Sequence, residues 1–510
     1  MKFSSEEIAK KSLEHLEFVV AVESSSDEDS TTIPSTPGQA HLARLLAEFF
    51  EKHGATTELD PMANLVARLP GRGAGRDKPP IALMVHLDTA RGTAPVEKLQ
   101  IKKDWDGLAL MYPRNPELQV SVKNYPVLES YMGQDVVFGP GDAPFGLDDK
   151  LGLTHMMTLA WLLKEHPEVD HSPLIFVARP DEEIGRMEAL IGLAQLLADG
   201  KVTSGYTIDG LDPFEINIEN FNASRAAMNF ASRPVESSPN VARVFLGGVN
   251  THGATAKVEG HRPATRFAAE ILAELKTREA GVQLVWFVCD ELRDCDAVAY
   301  FVFDEPEGLG ELFEVVEEIV APHIVRGGSF EVSEVETAPG FDAAASDAIE
   351  FVGKFLASDP GFTLSAEDSE GFDGYSQPYR VIPEAGGFRL DIRLRDFDPI
   401  ALKKREEHVV AQAGSMDVEV VQQYINMGPK LKERPELVEW ARAAAKKLGI
   451  ASGVQPIRGG TGVDPFLDKG IAVANLGTGY FAPESEKEFT TMQTMSAHAL
   501  WLFELVQLTA

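Results

Sequence analysis

Three short apolar runs limit what this chain can fold into. IALMVHLD (81–88), LIFVARP (174–180) and GYTIDG (205–210) do not alternate apolar with polar, and each is bounded by Pro, Gly or a polar loop. A strand that is apolar on both faces is buried on both faces, the environment of a parallel sheet covered by helices. Helix-period segments lie around these runs at 5–22, 38–53 and 151–166. Strands alternating with helices up to residue 222 predict an α/β layer with a mainly parallel sheet. In such sheets the chemistry collects at the carboxyl ends of the strands.

Those ends are where the titratable residues stand. His86 and Asp88 close the first run in VHLDT, and residues i and i+2 of a strand face the same side. Asp88 is therefore placed to hold the second nitrogen of a metal-bound His86 imidazole. Asp148 and Asp149 precede the long helix in GLDDKLG, Asp181, Glu182 and Glu183 follow the second run in PDEEIG, and Asp209 ends the third. Taken singly, each has a plain structural reading: a core histidine, a helix cap, an exposed acidic turn. Crowded together, however, these carboxylates would repel one another. A cation resolves this by binding some of them and leaving a neighbour as proton acceptor. Because His-x-Asp, Asp-Asp, Glu-Glu and Asp occur in order at successive strand ends, the pattern points to a metal site.

From residue 223 the pattern changes to paired strands and single helices. Strands are read at 224–231, 241–248, 282–289, 296–303 and 329–336, with helices at 262–276 and 308–321. The order predicts a two-layer α+β, ferredoxin-like module. The stretch 297–336 is echoed by 388–424, and the helix at 343–356 echoes that at 262–276. The expectation is a duplicated lid, with copy one at 223–340 and a partial copy two, lacking its opening strands, at 341–426. The α/β style returns at 427, with helices at 434–447 and 491–508 and a strand at 471–477, so the catalytic domain is 1–222 together with 427–510.

Composition narrows the functional classes. With 510 residues, 44% hydrophobic and 25% charged, the chain is ordinary globular material rather than disordered or fibrous. Lys+Arg 47 against Asp+Glu 79 leaves a formal charge of -32. Such a surface repels nucleic acid and anionic membranes, so neither is expected as a partner. The N-terminal segment has no apolar core of the signal-peptide kind and no run approaches a membrane span, so a soluble, cytoplasmic protein is expected. Two cysteines, Cys289 and Cys295, flank an expected hairpin turn and are read as thiols, which excludes a Cys-based zinc site.

The combined stretches resemble the co-catalytic zinc metallopeptidases, the family that includes aminoacylase, carboxypeptidase G, bacterial dipeptidases and, nearest in pattern, peptidase T-like aminotripeptidases. The resemblance is carried by IPSTPGQ (33–39), VHLDTA (85–90), GLDDKLG (146–152), RPDEEIG (179–185), YTIDG with IENFNAS (206–224), THGATAK (251–257), LRDFD (394–398) and PIRGGT (456–461). It implies a zinc-exopeptidase-like catalytic domain with two divalent metal ions. His86 and Asp209 would ligate one metal, Asp148 would bridge, and Glu183 would hold the second. Glu182 would be the general base acting on a metal-activated water. His252 would stabilise the tetrahedral intermediate, while Arg395 and Arg458 would grip the substrate's terminal carboxylate.

Two departures stand out. The family's histidine ligand before the terminal helix is absent from TGYFAPESEKEFTT. Anchoring on the shared EF places Glu484 there, or Glu486 if the register slips. His498, the one later histidine, lies on an apolar helix and is read as core. An oxygen-rich second site would take zinc but also suit manganese, magnesium or cobalt. The family's RGGTDG reads RGGTGV here, without the acidic residue after Thr461. The reading is a metal-dependent aminopeptidase for tripeptides or dipeptides. Its alternatives are an N-acyl-amino acid deacylase and a silent peptide-binding homologue. Two lid copies in one chain predict a monomer that mimics a dimer internally, against a homodimer through an exposed strand edge.

Overall fold

The computed structural model describes residues 2–210, 212–247, 262–290, 297–324, 328–359, 361, 373–457 and 459–510. His252, Arg458, Cys295 and residues 291–295 of the expected turn lie outside them. The chain divides into two compact units: Met1–Glu219 with Met427–Pro456 and Thr461–Ala510, and Asn220–Asn426 with Ile457–Gly460.

The first unit is built on an eight-stranded sheet. Its order is Thr56–Leu59, Leu65–Leu69, Leu174–Arg179, Ile81–His86, Ser204–Ile208, Ala472–Leu476, Ile216–Asn220, Val454–Ile457. The four strands from Leu174–Arg179 to Ala472–Leu476 are mutually parallel, and antiparallel strands flank them. Every residue of Ile81–His86, Leu174–Arg179 and Ser204–Ile208 is buried, as their unbroken apolar runs require. The helices Ser5–Val20, Leu147–Glu165 and Met492–Gln507 contribute Leu16, Leu159 and Trp501 to the same core. His86 and Arg179 are ladder partners, so the loops after them leave the sheet side by side. A small antiparallel sheet of Phe489–Thr491, Val136–Phe138 and Gln100–Lys102, packed with Trp105 and Tyr112, has no counterpart in the sequence reading.

The second unit holds two βαββαβ modules, each with the ferredoxin-like strand order 4-1-3-2. One runs from Val241–Gly247 to Ser329–Val335, in the order Val282–Val288, Ala297–Phe303, Val241–Gly247, Ser329–Val335. The other has the order Tyr375–Glu384, Gly387–Asp396, Asn222–Ala231, Val418–Tyr424. Its opening strand is thus Asn222–Ala231, which the sequence reading had placed at the head of the first copy. That strand pairs with Gly387–Asp396 and Val418–Tyr424 instead. The first module is nested inside the second, between its first strand and its first helix, Ala344–Leu356. The two sheets meet edge to edge where Cys289 and Val381 exchange both backbone hydrogen bonds, at 2.9 and 2.8 Å, beside an Asp290–Arg380 ion pair at 2.8 Å. Helices of both modules share one apolar core.

Candidate metal centre and active site

His86 is the last residue of its strand and is 1% exposed. Its Nδ1 lies 2.9 Å from the Asp88 carbonyl oxygen and 3.4 Å from Asp88 Oδ1. A carbonyl can only accept, so Nδ1 carries the proton and Nε2 presents its lone pair. That lone pair faces Asp148 Oδ1 at 3.0 Å and Asp209 Oδ2 at 3.9 Å. Two acceptors at 3.0 Å are held together only by something positive between them, a proton or a metal ion. With the proton there, burial lowers the His86 pKa, but the hydrogen bonds that the ring donates to Asp148 and Asp88 outweigh it and raise the pKa well above its ordinary value.

Asp88 does more than set the tautomer. Fully buried, it accepts the Glu182 N–H on Oδ1 at 2.9 Å and the Glu183 N–H on Oδ2 at 3.0 Å. One residue therefore ties the imidazole, through its carbonyl, to both glutamates of PDEEIG, through its carboxylate. The start of that loop is held from the other side. Asp181, at φ +54, accepts from the Ser35 N–H at 2.8 Å, the Ser35 hydroxyl and the Gln39 amide at 2.7 Å, and its own N–H donates to Gln39. This is the structural use of the IPSTPGQ stretch.

Asp148 sits where the chain enters Leu147–Glu165, with non-helical dihedrals and a cis peptide bond to Asp149. Tyr480 donates its hydroxyl to Asp148 Oδ2 at 2.7 Å. Just upstream, the N–H groups of Phe145, Gly146 and Leu147 all donate to the fully buried Glu488 carboxylate. Burial pushes the Glu488 pKa up to about 8 in spite of those donors. Burial also raises Asp209 to about 8, with Asp148 adding to it, and raises Asp149 and Glu183 well above the carboxylate range. The site has more carboxylates than its own cations can balance.

One ligand atom each from His86, Asp148 and Asp209 fall within 4.8 Å of one another. Glu183 adds a buried Oε1 with no hydrogen-bond partner. Glu484 is exposed, on a turn at φ +51, and its charge is among those that raise Glu183. Glu182 is half-buried, with Oε1 3.7 Å from Arg179 Nη2. Arg395 lies in the second unit. Its Nη1 donates to the carbonyls of Leu394 and Ser224 and to Gln423 Oε1, and the guanidinium stacks over Tyr424 at 4.8 Å. His498 is a core residue, stacked on His155 at 3.8 Å and bonded to the Gly477 carbonyl. Tyr480, Glu488 and Arg179 went unnoticed in the sequence. Tyr480 precedes the ESEKEF stretch and Glu488 lies within it, but neither has a local pattern that marks a supporting role.

An imidazole whose Nε2 faces the part-buried carboxylates of Asp148 and Asp209 fits a divalent cation with nitrogen and oxygen ligands. With a further glutamate beside it, this is the equipment of a metal-assisted hydrolase. The chain belongs to peptidase family M20/M25/M40, whose family model matches residues 134–507. It is a metallopeptidase. Peptidase T of a Bacillus cereus strain is 25% identical over 490 residues, covering 96% of this chain and 95% of that protein. Among solved structures, the fold matches a tripeptidase from Staphylococcus aureus (TM-score 0.57, 16% identity, 98% of each chain). It also matches aminoacylhistidine dipeptidase from Vibrio alginolyticus (TM-score 0.57, 15% identity, 98% of this chain and 96% of that one).

Proposed function

We propose that the protein is a cytoplasmic aminopeptidase that releases the N-terminal residue of tripeptides or dipeptides. The observation that carries this reading is the Asp88 brace, whose backbone carbonyl orients a metal-ready His86 and whose buried carboxylate holds the backbone of Glu182 and Glu183. His86, Asp148 and Asp209, with Glu183 and Glu484, would hold two divalent ions, zinc first and manganese or cobalt as alternatives at the oxygen-rich position. When bound, the ions would polarise the scissile carbonyl and acidify a water. Glu182 takes the proton and returns it to the leaving amine, work that contributes about 10²–10⁴-fold in rate. Tyr480 fixes the orientation of Asp148, and Asp88 that of His86. Arg395 is read as a holder of the substrate's terminal carboxylate, with Arg458 and His252 as its expected companions. The two modules joined edge to edge within one chain support a monomer.

The test is a panel of Ala-Ala and Ala-Ala-Ala against their N-acetylated forms, with metal-loaded protein. Release of alanine from the free peptides alone supports the aminopeptidase. Faster cleavage of the acetylated forms would replace it with the deacylase reading.

A further inference from the structure

Two residues of the first unit meet beside Glu182. Arg179 closes the strand Leu174–Arg179 and is 1% exposed. Its Nη2 donates to the Thr461 carbonyl at 3.0 Å and stands 3.7 Å from Glu182 Oε1. Its Nε and Nη1 are buried with no hydrogen-bond partner. A buried guanidinium with idle donors is costly unless nearby negative charge offsets it. Glu182 supplies that charge, and Asp209 lies close enough to feel the cation.

Gly462, at φ +57, closes the other side. A Cβ built there would stand 2.6 Å from Arg179 Nη1, 2.8 Å from Nη2 and 2.8 Å from Glu182 Oε1. A side chain there would have to displace the guanidinium or the Glu182 carboxylate, which together occupy the space that one would need. Position 462 is also where the chain reads RGGTGV in place of the family's RGGTDG. An acidic group in that space would repel the Glu182 carboxylate. A planar guanidinium anchored on Thr461 attracts it and fixes the side on which Oε1 lies.

We infer that Arg179 is a positioning residue for Glu182, and that position 462 is glycine so that the guanidinium can occupy its seat. The inference rests on Glu182 as the base of the proposed reaction.

The test uses full-length, metal-loaded protein as wild type, Arg179→Met, Arg179→Lys, Gly462→Ala and Arg179→Met/Gly462→Ala. Arg179→Met should lower kcat roughly 10- to 100-fold, the scale of a misplaced catalytic group. KM and bound metal per chain should not change, and Arg179→Lys should recover part of the loss. Gly462→Ala should show a similar fall, and the double variant should fall no further than the more impaired single. A crystal structure of Gly462→Ala should show the guanidinium displaced from Glu182. Full kcat in Arg179→Met, losses that multiply in the double variant, or metal lost together with kcat would each overturn the inference. If wild type cleaves no peptide, the proposed function fails instead. The crystal structure then decides this point alone, and a guanidinium still seated in Gly462→Ala overturns it.

Discussion

Asp88 is the residue on which most of the site's geometry converges. Replacing it with alanine strips the acceptors from two buried N–H groups and removes the carboxylate beside the His86 ring. Partners of this kind are worth about 10–100-fold in metal affinity or activity. Asp88→Ala should therefore weaken metal binding by roughly that factor and lower kcat/KM by at least as much, checked by competition with a chelator and by steady-state kinetics. Unchanged metal affinity would mean that the His86 tautomer is fixed by the Asp88 carbonyl alone. The pairing of His86 with Asp88 was legible in the sequence because both lie two apart at the end of an apolar run. Glu182 and Glu183 were legible as a crowded acidic turn. The grip of Asp88 on their N–H groups was not, since it joins residues more than ninety positions apart through backbone atoms that every residue carries.

At the level of elements, the entry to the helix Leu147–Glu165 depends on Glu488, which satisfies three buried N–H groups from 145 to 147. A buried donor left without its acceptor costs about 1–3 kcal/mol. Glu488→Ala should destabilise the protein by roughly 3 kcal/mol or more, read as a lower urea midpoint at unchanged m. It should also loosen metal binding, because Asp148 follows directly on Leu147. A midpoint within experimental error of wild type would show that water replaces the carboxylate without cost. The long periodic helices and the buried strands were readable, since Leu174–Arg179 and Met492–Gln507 advertise their type over their whole length. The nesting of one lid module in the other was not. Asn222–Ala231 reads locally as a strand, but its partner Gly387–Asp396 is more than 150 residues away, and strand pairing of that range leaves no periodicity to detect.

For the molecule as a whole, buried histidines set an acid limit. Burial pushes His155 down to about 4 and His498 well below its ordinary value, and holds His15 down at about 3. These rings stay neutral in the fold and take up a proton on unfolding. Their contribution to stability is intact above the unfolded value near 6.5 and is lost as pH falls from there toward about 4. At pH 5 the loss is roughly 2 kcal/mol for His155. The buried carboxylates of the metal centre push the opposite way, since a raised acid gains stability as pH falls. The quantity to follow is thus the difference between wild type and His155→Phe, which keeps a ring against His498. The melting midpoint of the variant should rise relative to wild type between pH 7 and pH 5, and a constant difference would contradict the assignment of a neutral His155.

The most direct test of the whole account is alanine release from Ala-Ala-Ala by chelator-treated protein, before and after adding Zn²⁺, Mn²⁺ or Co²⁺, in wild type and Glu182→Ala. The expected result is no release without metal, restored release with it, and a loss of about 10²–10⁴-fold in Glu182→Ala while its bound metal stays the same. Release that persists without metal, or a Glu182→Ala protein as active as wild type, would contradict it.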